Sequence, residues 1–195
     1  VLPCLFLGLS VSCLTAGDEG QVQLLRAPSE GLQPLAQMDS DGTLHLVYFK
    51  GEAAHGDLFY VQRKHAAEDY TKPVRVNHAE GAAIAMGTIR GAHFALGRDG
   101  HLHLAWMGTR KVAGGDEQPV PMLYTRSTDN GKSFEKERNL IADAYGLDGG
   151  GSLAADNRGQ VLVSWHAGPH DSGEAGRRMA RIPVSTSSTV RQPRP

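Results

Sequence analysis

Three stretches of the chain can be laid over one another, and this repetition limits the possible folds more than any other feature. "LAQMDSDGTLHLVYF" begins at Leu35, "FALGRDGHLHLAWMG" at Phe94 and "LAADNRGQVLVSWHA" at Leu153. Each reads as a strand of small residues, an Asp/Asn-Gly turn and an apolar strand that ends in an aromatic. The turn glycines Gly42, Gly100 and Gly159 are 58 and 59 residues apart. A fixed period of this size marks units that stack or arrange radially, because one such unit cannot bury its apolar face alone.

The second unit can be ordered throughout. Residues 92–96 form a first strand, Arg98-Asp99-Gly100 a hairpin turn, and residues 101–107 a second strand. A loop rich in Gly and Pro follows over 108–121, then a third strand at 122–126, a turn, and a fourth strand from Phe134 onward. The first unit keeps this plan, with its third strand at 58–62 and its fourth at 73–76. Its last turn is reduced to "KHAAEDY". The third unit departs after Arg178, where "MARIPVSTSSTVRQPRP" reads as an irregular tail over 179–195. Helical periodicity is absent. Four antiparallel strands per unit describe a propeller blade, so the expected fold is all-β: an incomplete β-propeller of about three four-stranded blades over 17–178.

Composition agrees. The 195 residues are 40% hydrophobic and 21% charged, enough for one domain with a core and too balanced for disorder. The 24 glycines and 10 prolines fit many turns. A net charge of -1 provides no field to draw the chain to nucleic acid or acidic lipid. The opening "VLPCLFLGLSVSCLTA" carries no charge and is too short to span a membrane, so it reads as a signal peptide cleaved near Ala16. A buried N-terminal strand and a lipoprotein signal ending at Cys13 are the alternatives. That segment holds both cysteines, Cys4 and Cys13, which leaves the rest without disulfide or thiolate chemistry. The expected location is secreted or periplasmic, and no cofactor is expected.

The most patterned stretch is "RSTDNGKSF", residues 126–134. A calcium loop fails on spacing, since taking Gly131 as the sixth residue puts Arg126 first. A structural turn fits better. Gly131 supplies a positive φ, the Asp129 carboxylate accepts turn N–H groups, the Ser127 hydroxyl bonds locally, and Phe134 buries its ring between blades. His101-x-His103 has the spacing of two ligands on one strand, but His45 repeats the His103 position and points to packing rather than metal.

Ser127-x-Asp129-x-Gly131-x-x-Phe134 resembles the Asp-box, or bacterial neuraminidase repeat, and the chain over about 30–178 is similar to sialidase-like β-propellers. In that family the active site lies on the face opposite the Asp-box turns. Antiparallel order puts the starts of first strands and the loops between second and third strands on that face. Those positions hold Arg90, His93, Tyr145 and Asp148, then Arg110 and Lys111, and His166, His170 and Asp171. The resemblance implies Arg90 as anchor for a sugar carboxylate, Asp148 as acid and Tyr145 as nucleophile, with His93, Arg110 and His166 binding substrate. "ARIP" at 180–183 looks like a further sialidase signature but falls in the expected tail, where it reads as coincidence.

The function that follows is a secreted exo-glycosidase of sialidase type acting on glycans. The alternatives are a non-catalytic propeller binding glycan or protein through the same loops, and a truncated remnant of a longer propeller. Three blades cannot close a ring, so self-association to complete one is a further expectation.

Overall fold

The structure, a computed structural model, describes residues 22, 24–67, 69–86, 91–115, 120–141, 147–167 and 176–183, without the side chains of 147–150, 166–167 and 176–183. The signal-like segment 1–16 and the end of the chain after Pro183 lie outside these residues.

The Asp-Gly turns set the strand boundaries. Asp39 accepts the N–H groups of Asp41 (2.9 Å) and Thr43 (2.8 Å), and Gly42 takes φ +75°. Asp156 repeats the arrangement with Arg158 (2.9 Å) and Gln160 (2.7 Å), and Gly159 has φ +82°. In the middle unit Gly97 stands at the aspartate position. A Cβ there would lie 2.5 Å from Nε2 of His103, whose ring fills the space.

From these turns come three antiparallel meanders. The first sheet is β1 (Leu32–Met38), β2 (Leu44–Glu52), β3 (His55–Arg63) and β4 (Val74–Arg75), in that order. The second is β5 (Ala92–Leu96), β6 (Leu102–Met107), β7 (Met122–Ser127) and β8 (Arg138–Asn139), again in order. The third joins β9 (Leu147–Ala155), β10 (Gln160–Ala167) and β11 (Gly176–Pro183). The chain is thus all-β, built of small antiparallel sheets; among the described residues the helical pieces are one α-helical turn, α1 (Arg110–Ala113), and two 3-10 turns at Pro28–Glu30 and Arg98–Gly100.

Period-2 alternation then stacks the sheets. Val47, Phe49, Leu58 and Tyr60 of the first sheet meet Phe94, Leu102, Leu104, Trp106 and Leu123 of the second, sealed by Val76, Ala82 and Phe134. On the other side of the second sheet, Ala105, Met122 and Tyr124 meet Val161, Val163 and Trp165 of the third. The second sheet is therefore covered on both faces. The outward face of the first is partly covered: Leu46, Tyr48 and Val61 are buried with Ala27, Phe59 and Tyr70, and Gly31 lies directly on the Tyr48 ring. Side chains also tie neighbouring sheets. Gln37 donates to the Phe94 carbonyl (2.9 Å) and accepts from Leu96 N–H (3.0 Å), which joins β1 to β5.

Three expectations need correction. The strand β11 runs through Pro183 and pairs along its length with β10, so the irregular tail does not begin at residue 179. The open backbone edge of β10 offers a ladder that Ser, Thr, Pro and Arg composition does not reveal, and Pro183 is tolerated because β11 is an edge strand. The "ARIP" residues accordingly lie in a third strand. The loop over 108–121 contains α1, a single turn closed by Gly114 at φ 104°. The fourth strands are only two residues long, and β8 starts four positions beyond Phe134 because Phe134 turns into the core.

Candidate functional site

The two ends of the sheets differ. At one end the turn between first and second strands meets the turn between third and fourth: Gly42 stands beside His65, and a Cβ on Gly100 would lie 2.9 Å from Oδ1 of Asn130. The Ser127–Phe134 turn is at this end, and its polar groups are used internally. Ser127 Oγ donates to Asp129 (2.7 Å) and accepts from Gly131 N–H (2.9 Å). The Asp129 carboxylate also accepts from Ser133 N–H (3.0 Å) and Ser133 Oγ (2.5 Å). These bonds, the Ser133 hydroxyl foremost, hold the Asp129 carboxyl at a pKa of about 2, below its ordinary 3.8. Gly131 has φ +78° and its Cα faces the Tyr60 ring of the preceding sheet, while Phe134 meets that ring edge-on at 5.8 Å. The motif is a turn that docks one sheet on the next.

The opposite end holds the strand starts and the loops between second and third strands. A strap from Gly81 to Ala85 stitches the first two sheets there. Ala83 exchanges both backbone hydrogen bonds with Gly56 (2.8 and 2.9 Å) and bridges to Gly108. Thr109 Oγ1 donates to Gly81 (3.1 Å), and Trp106 Nε1 donates to Ala82 (3.2 Å). Asp57 anchors the root of the strap by accepting from Asn77 Nδ2 (2.6 Å) and Gly81 N–H (2.8 Å).

Of the residues expected to form a site here, Arg90, Tyr145, His170 and Asp171 lie outside the described residues. Asp148 is the second residue of β9, and His166 lies near the end of β10 opposite Arg177, both placed by strand position. Arg110 and Lys111 open α1 on the exposed side of the loop. His93 is half-buried in β5, and its ring packs 3.1 Å from where a Cβ on Gly151 of the third sheet would stand. Burial lowers the His93 pKa, favouring the neutral ring. His93 thus serves contact between the second and third sheets.

Among the described residues no group of three or more His, Cys, Asp or Glu is arranged to hold a metal. His45 and His103 instead form a repeated pair of polar core contacts, His45 Nδ1 with Tyr60 Oη (2.7 Å) and His103 Nδ1 with Tyr124 Oη (2.8 Å). Both tyrosines sit diagonally across the strand pair, since His45 faces Gln62 and His103 faces Arg126. The histidine repetition is readable in the sequence, but the tyrosine partners depend on strand register. A second feature the sequence did not disclose is Glu137, which accepts from His78 N–H (2.9 Å) and Ala79 N–H (2.8 Å) and clamps the first sheet's exit to the second. A cleft of about 570 Å³ lies at the Asp-turn end, lined by Leu25, Met38, Leu44, Arg63, Lys64 and His65. It lies beside the outward face of the first sheet, away from the strand starts, and contains no carboxylate pair.

No family model matches the chain, and no curated protein matches it. Solved structures do resemble it. A protein of unknown function from Dyadobacter fermentans is 14% identical over 76% of this chain and 46% of its own, with a TM-score of 0.51. An ulvan lyase of polysaccharide lyase family 25, bound to a glucuronate-rhamnose sulfate unit, is 15% identical over 76% of this chain and 37% of its own (TM-score 0.43). A fucose lectin from Kordia zhangzhouensis, bound to methyl-fucoside, is 13% identical over 81% of this chain and 99% of its own (TM-score 0.44). The chain spans less than half of the first two structures. At these identities the likeness is one of fold. No helix among the described residues is long and apolar enough to cross a membrane.

Proposed function

We propose that the chain is part of a secreted, sialidase-like β-propeller that binds a glycan at the end of its sheets opposite the Asp-turns. The observation that carries this reading is the Ser127–Phe134 turn. Its internal bonding and its packing on Tyr60 fit a blade-docking Asp-box, and because its polar groups are satisfied within the turn they support a ligand site at the other end of the sheets. On this reading Arg90 pairs bidentately with a sugar carboxylate, and Arg110 and His166 contribute from neighbouring loops. In its catalytic form, Asp148 donates a proton to the leaving glycosidic oxygen while Tyr145 attacks the anomeric carbon and loses its phenol proton to solvent. Water then attacks the glycosyl–tyrosine bond, yields a proton to the Asp148 carboxylate and releases the sugar and the Tyr145 oxygen, which regains a proton from solvent, giving exo-sialidase hydrolysis.

The second reading is a propeller that binds glycan without cutting it. The packing of half-buried His93 against Gly151 favours it, because that engages one polar group of the proposed substrate face in contact between sheets. Hydrolysis of a fluorogenic sialoside, together with binding to an array of sialylated and neutral glycans, separates the two. Turnover lost by at least about a hundredfold in Arg90→Ala supports the enzyme. Binding without turnover, weakened in the same variant, supports the second reading. Neither turnover nor binding rejects both.

A further inference from the structure

The turn between β7 and β8 contains a reactive peptide unit that its docking role does not use. Asn130-Gly131 is the one Asn-Gly pair in the 195-residue chain. Asparagine is chemically labile because the backbone nitrogen of the next residue can attack its Cγ, and a glycine offers that nitrogen without a side chain in the way. The N–Cγ bond forms as the Cγ–Nδ2 bond breaks. The attacking nitrogen gives its proton to solvent, and the leaving amide takes one up and departs as ammonia. Water then opens the five-membered imide at either carbonyl. The product is aspartate or isoaspartate, the latter with its side-chain carbon inserted into the backbone. Asn130 is exposed, so water and base reach it.

Three features of the fold oppose the first step. The buried Gly131 N–H donates to Ser127 Oγ at 2.9 Å, so the nitrogen that must attack is held and keeps its proton. Asn130 has φ +59°, where a residue with a side chain finds only the left-handed region, with ψ near about +47°. At that ψ the Gly131 nitrogen lies nearly opposite Cβ across the Cα–C bond, whereas ring closure needs the two on the same side. Finally, Oδ1 of Asn130 packs on the turn between β5 and β6, where a Cβ on Gly100 would meet it at 2.9 Å. Swinging the side chain toward Gly131 gives up that contact.

We propose that Asn130 is a latent modification site: the folded turn suppresses its conversion to aspartate and isoaspartate, and the reaction proceeds when the turn opens. Loop opening is fast beside covalent cyclisation, so the rate follows the population of the open turn. The isoaspartate product lengthens the backbone by one carbon immediately before Gly131. A Cβ on Gly131 would stand only 2.1 Å from Cε1 of Tyr60, so this approach has no room for a displaced backbone. The lengthened turn no longer sets Gly131 and Phe134 on Tyr60, and the first two sheets lose a contact that joins them. The inference rests on the turn alone and does not require the glycan reading.

The chain and a synthetic peptide of residues 126–134 are incubated side by side at mildly alkaline pH, and peptide mapping by mass spectrometry follows Asn130. Conversion is expected to be at least about tenfold slower in the chain than in the peptide. Hydrogen exchange of the Gly131 amide, read by NMR, should be slowed by a comparable factor, because both reactions need that N–H to leave Ser127. Ser127→Ala, its fold verified by circular dichroism, should convert at least about threefold faster than the parent. Where that variant does not fold, the exchange comparison decides. Ion exchange separates the converted chain by its added negative charge, and the thermal midpoint of the isoaspartate form is expected below that of the parent. Equal rates in chain and peptide overturn the proposal. So does slow conversion beside unprotected exchange at Gly131, or an unchanged rate in folded Ser127→Ala. An unchanged midpoint in the isoaspartate form overturns the undocking.

Discussion

A methyl group on Gly131 would stand 2.1 Å from Cε1 of Tyr60, on a backbone already at φ +78°. Gly131→Ala therefore meets two penalties, a steric one across the sheet interface and a conformational one within the turn. Together they are expected to cost about 3 kcal/mol or more, read as a lower urea midpoint. His103 supplies a pH dependence. Burial, with smaller contributions from His101 and Arg126, holds its pKa at about 4, against an ordinary 6.5. The folded chain thus binds a proton less readily than the unfolded one. The stabilisation is complete above pH 6.5 and is lost as the pH falls toward 4. Thermal midpoints across that window should fall less steeply in His103→Gln than in the parent chain. At this scale the Ser-Asp-Gly-Phe pattern was legible because turn chemistry is local. Tyr60 and Tyr124 were not, because a diagonal contact exists only after two strands choose a register.

Strands were legible where alternation was strong, as in β5, whose bounds Ala92–Leu96 coincide with those expected from sequence. They were obscure where pairing, not composition, makes the element: β11 has a tail-like composition and is a strand because β10 offers it an edge. The link between elements was equally hidden. β1 and β5 belong to different sheets, and the Gln37 amide supplies the backbone-like bonds that join them. Gln37→Ala leaves the Leu96 N–H and the Phe94 carbonyl without that partner. The expected loss is about 1–3 kcal/mol, and faster amide exchange at Leu96 checks that the loss is local. Ala95 and Ala154 occupy the equivalent positions in the other units, so no repeat signal draws attention to Gln37.

For the molecule as a whole, the period was the readable quantity and the order of sheets followed from it. Antiparallel order separates the two ends of the sheets, and the strap from Gly81 to Ala85 gives the end opposite the Asp-turns, the one proposed above for ligand chemistry, a fixed root between the first two sheets. Which loops meet there is a matter of three-dimensional approach that a linear pattern does not hold. The stacking of alternating faces has one more consequence, and it concerns heredity. Each sheet presents a backward and a forward surface made by the same alternating positions. A duplication or deletion of one whole unit therefore delivers a sheet whose two neighbours it already fits. An insertion of a single residue in β6 would exchange those surfaces and break both contacts at once. Chains of this design can change length in steps of a whole unit far more readily than in steps of one residue.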